Sequence, residues 1–382
     1  MMKKFFLAIL LLFTLGCKEE KKERFPVSTV AENLPIVHAK GFSVEKSGND
    51  ITIIRITSPW PNSESAFTYA LIPKEKMAAI TLNKDAYDAI IAVPVERIVV
   101  TSTTHIPALE SLGVENTLVG FPQTDFISSP KTRKRIAAGF VQELGNNESL
   151  NTEMVLALNP EVVVGFGIND QNKAYESLER ANIPVVYNGE WTEETPLGKA
   201  EWIKFFAPFF GLEKKADSLF ASLEKSYSDA KRLAEKATRK PTVLSGGLYK
   251  DVWHVAGGKS WVAQFLNDAH SEYLYKETSE TGSLSLSLES VLDKADKAEF
   301  WINPSLHVSY KEVLAANSHY EQFDAFKNKQ IYTNANVKGE TGGLLFYELA
   351  PNRPDLVLKD LIHIFHPELL PQHQSIFFKP LE

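Results

Sequence analysis

Residues 192–239 hold no strand pattern, and within them one helical stripe runs unusually far. Leu212, Ala216, Leu219, Leu223, Tyr227, Ala230 and Ala234 recur at steps of three and four, which places them along a single face of one helix over 212–236. At 1.5 Å per residue a helix of that length spans about 38 Å, more than the width of a small lobe. A continuous helix between two folded halves acts as a strut rather than a flexible linker. Whatever folds on either side is therefore held at a set distance.

Both sides carry the same kind of pattern. Upstream, the short apolar run 97–102 reads as a buried parallel strand. The helix 105–112 follows and ends at Gly113; then come the strand 118–121 and the helix 149–158, which opens at a Ser/Asn cap and closes before Pro160. The strand 162–166, the helix 170–180 and the strand 185–187 complete that half. Downstream, the strand 242–245, the helices 260–267 and 288–295, the strands 299–303 and 331–334, and a final helix 355–365 repeat the alternation. Strand–helix alternation of this kind builds a parallel sheet with helices on its faces. Residues 25–75 differ. Apolar runs at 42–45 and 51–57 flank Lys46-Ser47-Gly48-Asn49-Asp50, a hairpin turn, and 67–72 continues the sheet, with Trp60 on the loop between. The expected fold is α/β: two parallel-sheet lobes joined by a single long helix, with an extra N-terminal β-rich segment. The divisions fall at 26–94, 95–191, 192–240 and 241–382.

The first residues are of another kind. Lys3 and Lys4, the apolar run 5–15 and Gly16 are the parts of a signal peptide over 1–16, and the apolar run is too short to cross a hydrocarbon core of about 30 Å. Its end, Thr14-Leu15-Gly16-Cys17, resembles the lipobox of bacterial lipoproteins. That resemblance implies that Cys17 becomes the first mature residue, carries lipid and anchors the chain to a membrane through a charged tether at 17–25. The expected location is the cell envelope, facing the periplasm or otherwise outside the cytoplasmic membrane. Cys17 is the single cysteine, so the mature body is built without disulfides. At 44% apolar and 23% charged, 382 residues are enough for a sizeable packed core. Losing Lys3 and Lys4 with the leader moves the net charge from −7 to −9. An acidic body argues against nucleic acid as a partner, because phosphates need Lys and Arg. A monomer is expected.

The order of elements, together with particular phrases, resembles the lipoprotein substrate-binding proteins of ABC importers whose two lobes are joined by one rigid helix. The phrases are Glu96-Arg97-Ile98-Val99-Val100 through Leu112-Gly113-Val114 to Leu118-Val119-Gly120, and Asn151-Thr152-Glu153-Met154 running on to Asn159-Pro160-Glu161-Val162. The second half adds Gly257-Gly258-Lys259-Ser260-Trp261, Ser287-Leu288-Glu289-Ser290 and Arg353-Pro354-Asp355 through His366-Pro367. The resemblance covers about 95–370, leaving 25–90 as an addition. It implies capture of a metal chelate (a ferric siderophore, haem or cobalamin) between the lobes, delivery to an ABC transporter permease, no catalysis and no resident cofactor. It also implies an acidic docking residue on each lobe; by position these are Glu176 and Glu312.

In α/β lobes the ligand lies outside the carboxyl ends of the strands. The candidates there are Thr104 and His105 at a helix start, Phe121 and Trp191 in the first lobe, Tyr249, Trp253 and His254 in the second, Arg353 near the end, and Trp60 reaching in from the added segment. Any one of these aromatics is as readily a core residue; as a set at strand ends they suit a large chelate with apolar surface. A bare-ion alternative, as in zinc and manganese importers, would draw on His105, His254 and His307. His363 and His366 read as structural, and His38, His270, His319 and His373 as surface residues. A chelatase-like enzyme is the alternative from another class. Against it, there is no Gly-x-Ser-x-Gly elbow, no complete phosphate loop around Gly258-Lys259-Ser260 and no mature cysteine nucleophile.

Overall fold

The structure, a computed structural model, describes residues 32–33, 35–47, 50–80 and 82–382. The leader, Cys17 and the charged tether lie outside the described residues. The long helix runs Glu213–Ala234, about 33 Å at the standard rise. Gly211, at φ 66°, ends the segment before it, and Glu213 in its first turn and Lys231 and Arg232 in its last complement the helix dipole. Its apolar stripe is divided between two cores. Ala216 and Phe220 pack into the first lobe, while Tyr227, Ala230 and Ala234 pack into the second. The second half is pinned further: the Tyr227 hydroxyl donates to Asp268 at 2.8 Å and Lys231 Nζ lies 2.8 Å from the same carboxylate.

Each lobe has its own sheet, as the alternation predicts. In the first, the strands lie in the order Val185–Tyr187, Val162–Gly165, Ile98–Val100, Leu118–Phe121, Gln142–Glu143, all parallel. In the second the order is Glu272–Tyr273, Thr242–Ser245, Phe300–Ile302, Ile331–Thr333, Lys379–Pro380, with only the last pair antiparallel. The central strands read Val-Val-Val-Gly and Ile-Val-Val, all buried, because helices cover both faces of a parallel sheet.

The N-terminal segment is a five-stranded sheet, Glu32–Asn33, Phe42–Ser47, Ile51–Ile56, Phe67–Pro73 and Ala89–Val93, antiparallel except for its final pair. It does not stand alone. One face, with Val44, Ile54, Ile56, Tyr69, Leu71 and Ile91, joins the core of the first lobe. The other face, Ile51, Ile53, Ala70 and Ile72, is covered by Ile80, Leu82 and Tyr87. Polar ties complete the junction. The buried Glu201 carboxylate accepts the N–H groups of Val37, His38 and Ala39 at 2.7–3.0 Å, and Glu193 accepts those of Lys40 and Gly41 and the Trp202 indole N–H. The Tyr187 N–H donates to the Tyr69 hydroxyl at 3.0 Å, binding an outer strand of the first lobe to the added sheet.

Local differences from the sequence reading have local causes. The helix expected over 149–158 is Thr152–Leu158, because the Asn151 side chain caps it by accepting the Met154 N–H, and Ser149–Leu150 instead pairs with Gly145–Asn146. The helix expected from 170 starts at Lys173, where the Asn172 side chain accepts the N–H groups of Ala174 and Tyr175. Features not foreseen include the helix Pro130–Ala137 under its Ser129 cap, the strand Ala89–Val93, the helix Leu345–Leu349, and an antiparallel sheet of Gly247–Tyr249, Val252–Ala256 and Ser283–Leu286 on the second lobe. Among the described residues no helix is long and apolar enough to cross a membrane.

Candidate ligand cleft between the lobes

The loops that leave the carboxyl ends of both sheets meet. Phe126 follows the strand Leu118–Phe121, Leu306 follows Phe300–Ile302, and Tyr347 lies beyond Ile331–Thr333. They are 55%, 67% and 58% exposed, and together with Thr103, Ala335 and Lys338 they line one hollow of about 420 Å³. Large apolar side chains gathered at the surface in this way mark a binding surface rather than a core.

A second groove, of about 600 Å³, also draws its walls from both lobes. Three bodies build it: the N-terminal sheet contributes Trp60, the first lobe Trp191 and Glu194, and the second lobe Trp261 and Ser283. Trp60 presents only an edge, since its ring is held between Phe67 at 6.0 Å and Tyr187 at 5.5 Å. Trp261 opens the helix Trp261–Asp268, capped by Ser260. The buried Lys199 fixes both lobes here. Its ammonium donates to the carbonyls of Glu190 and Trp191 at 3.0 Å each and sits 5.2 Å from the centre of the Trp261 ring. Burial lowers the Lys199 pKa, with Glu190 and Glu193 drawing it partly back.

The lobes also touch directly through polar contacts. The Asn352 side chain donates to the Thr104 carbonyl at 2.8 Å, Thr341 Oγ1 to the Asp125 carbonyl at 2.7 Å, and Ser128 Oγ to the Gly343 carbonyl at 2.9 Å. Gly343 must be glycine here: a Cβ would lie 2.2 Å from the Phe126 carbonyl oxygen. The Ser128 N–H donates to the buried Glu348 carboxylate at 2.5 Å. Burial, helped by Glu110, raises Glu348 to about 7 against the pull of the backbone donors.

Of the candidates named from sequence, Trp60 and Trp191 come together in the groove. Thr104 is half-buried at the inter-lobe contact. Tyr249 is exposed on the unforeseen sheet, and His254 is half-buried beside Ser285; neither lines the two hollows. Four positions are corrected. Trp253 is fully buried, stacked 5.2 Å from Trp301 in the second core, because it sits on the inward face of the strand Val252–Ala256 rather than on a strand-end loop. Phe121 is buried as the last residue of its strand, and Phe126, five residues on, takes the exposed place. His105 is buried against Phe206 at 5.3 Å. Burial lowers it to about 3, Asn188 pulling the other way. Arg353 forms a two-point pair with Asp355 at 2.9 Å and faces a separate hollow beside the long helix.

Among the described residues no three His, Cys, Asp or Glu side chains are placed to hold a metal ion. His373 is not a surface residue as expected, for it pairs with the fully buried Asp360 at 2.6 Å. His366 is buried, with a ring nitrogen 3.2 Å from the His270 carbonyl. The residues missed by sequence reasoning are Phe126, Leu306, Lys338, Tyr347 and Trp261. Only Trp261 stood in a motif that could have signalled it, the Gly-Gly-Lys-Ser-Trp helix start.

The sequence profile described as periplasmic binding protein matches residues 98–336. The chain belongs to that family. An uncharacterized lipoprotein of Methanocaldococcus jannaschii is 26% identical over 298 residues, 76% of this chain and 69% of its own. A periplasmic heme binding protein from Pseudomonas aeruginosa shares the fold with a TM-score of 0.56 at 19% identity, over 75% of this chain and 98% of its own. An ABC-type Fe3+-hydroxamate transport system from Saccharomonospora viridis does so with a TM-score of 0.52 at 20% identity, over 72% and 94%. As a periplasmic binding protein the chain has a solute-binding role. Its N-terminal sheet and the loop carrying Trp60 lie outside the matched residues.

Proposed function

We propose that this protein captures a metal chelate in the cleft between its lobes and hands it to an ABC transporter permease. The observation that carries this is the hollow formed by Phe126, Leu306 and Tyr347, large exposed apolar side chains contributed by both lobes beyond their strand ends. A chelate such as a ferric siderophore, haem or cobalamin offers the extended apolar surface that such walls desolvate. A bare ion needs converging ligands instead. The lipobox-like Cys17 supports attachment to the outer side of a membrane, and the relation to an archaeal lipoprotein is in keeping with it. Cys17→Ser should leave an unlipidated protein, either unprocessed or soluble; a variant that still runs as mature protein in the detergent phase overturns the anchor.

Calorimetric titration with ferric siderophores, haem and cobalamin, alongside Zn²⁺ and Mn²⁺, tests the ligand class. At least one chelate is expected to bind with a micromolar or lower Kd. Micromolar binding of a free ion with no chelate bound would overturn the proposal.

A further inference from the structure

The Trp groove differs from the apolar hollow in both its makers and its charge. Its walls come from the N-terminal sheet as well as both lobes, and the loop of residues 58–63 that supplies Trp60 and Asn62 lies outside the family match. Among the described residues no Lys or Arg lines it. Its ionisable residues are Glu193 and Glu194, and its remaining polar lining is hydroxyl and amide, as in Ser63, Thr192 and Ser283. Glu193 is already engaged with backbone and indole donors. Glu194 pairs with Lys40, at 3.6 Å on the exposed rim, where a pair counts for little. Behind the wall, Lys199 spends its donors on two carbonyls and the Trp261 ring.

We infer that this three-tryptophan groove is a ligand subsite for a neutral or cationic chelate bearing amide or hydroxyl donors, and that it turns away strongly anionic ones. The inference rests on the reading of the protein as a chelate-capture protein. Trp191 and Trp261 present faces and edges that desolvate an apolar ligand surface. The Glu194 carboxylate accepts donors from the ligand and repels added negative charge. Lys199 is a positioning residue: by holding the Trp191 carbonyl and facing the Trp261 ring it sets the spacing of the two walls. The N-terminal sheet thereby becomes part of the specificity apparatus, through Trp60, rather than an appendage.

The test is titration of the full-length, detergent-solubilised protein with four probes, followed by calorimetry and tryptophan fluorescence. The probes are a neutral ferric trihydroxamate, cobalamin, a strongly anionic ferric tricatecholate, and haem with its carboxylates. The trihydroxamate or cobalamin is expected to bind at least tenfold tighter than either anionic probe and to quench tryptophan emission. Trp191→Ala, at a partly exposed position where folding is not at stake, should weaken that binding at least tenfold, and Glu194→Lys should narrow the neutral-over-anionic ratio. Tightest binding of an anionic probe overturns the ligand class. Chelate binding unchanged in Trp191→Ala and Trp261→Ala overturns the subsite while leaving chelate capture intact. No binding by any of the four overturns both.

Discussion

The Ser128 N–H and the Glu348 carboxylate, 220 positions apart in sequence, meet at 2.5 Å across the two lobes. Glu348 is buried, and that burial, with the like-signed Glu110 adding to it, raises it to about 7 from an ordinary value of 4.5. A carboxyl raised in the folded state favours folding most when it is protonated. That contribution is complete below about 4.5 and is lost as pH rises through about 7. Between those limits the change is on the order of 3 kcal/mol at most. Glu348→Gln should therefore gain stability relative to wild type as pH is raised from 4.5 to 8, read as the difference between urea midpoints. A difference that stays flat across that range would contradict the assignment.

His105 gives the opposite slope. Its folded value, about 3, lies below the ordinary 6.5 because the ring is buried. Stability is complete above about 6.5 and falls as pH drops toward 3, by on the order of 4 kcal/mol at the end of that window. Replacing the group by one that does not titrate, His105→Gln, should remove this share of acid denaturation. Parallel pH–stability curves for the two proteins below 6.5 would refute it.

Two tryptophans separate core from cleft. Trp253→Ala empties a fully buried site against Trp301, Tyr320 and Phe323 and should cost about 3–5 kcal/mol of stability. Trp191→Ala, partly exposed, should cost about 0.5 kcal/mol or less. Denaturant unfolding of the pair checks both, and equal costs would mean that the burial contrast is wrong.

For the permease contact, Glu176 and Glu312 are both exposed. Glu176 lies 3.8 Å from Arg180, and Glu312 accepts the Val308 N–H at 2.8 Å near the start of its helix. Neither bond buries the carboxylate, so both remain proposed docking residues. Reversing both to Lys should lower uptake into cells while leaving chelate affinity unchanged. Wild-type uptake would exclude this pair.

The fold was legible because periodicity is a property of many residues at once. The stripe from Leu212 to Ala234 and the apolar runs at 98–100 and 162–165 can be satisfied in few ways. The cleft was legible only in part, because its walls are single side chains scattered beyond the strand ends. Phe126 closes a short 3-10 turn and Tyr347 lies on the short helix Leu345–Leu349, and both are exposed by where those pieces sit, which no local pattern encodes. Trp253 misled for the same reason: its position after the strand Thr242–Ser245 suggested a strand-end loop, whereas the turn at residues 250–251 folds it back into a second sheet. Trp60 and Trp191, by contrast, do line one groove together.

The divided stripe of the helix Glu213–Ala234 bears on how the molecule comes apart. Phe220 is core to one lobe and Tyr227 to the other, only seven residues on. If either lobe melted first, it would strip one end of the helix of its packing and leave an isolated remnant too short to hold its shape in water. The two lobes are thus coupled as a single cooperative unit, and a heat-capacity trace should show one transition rather than two.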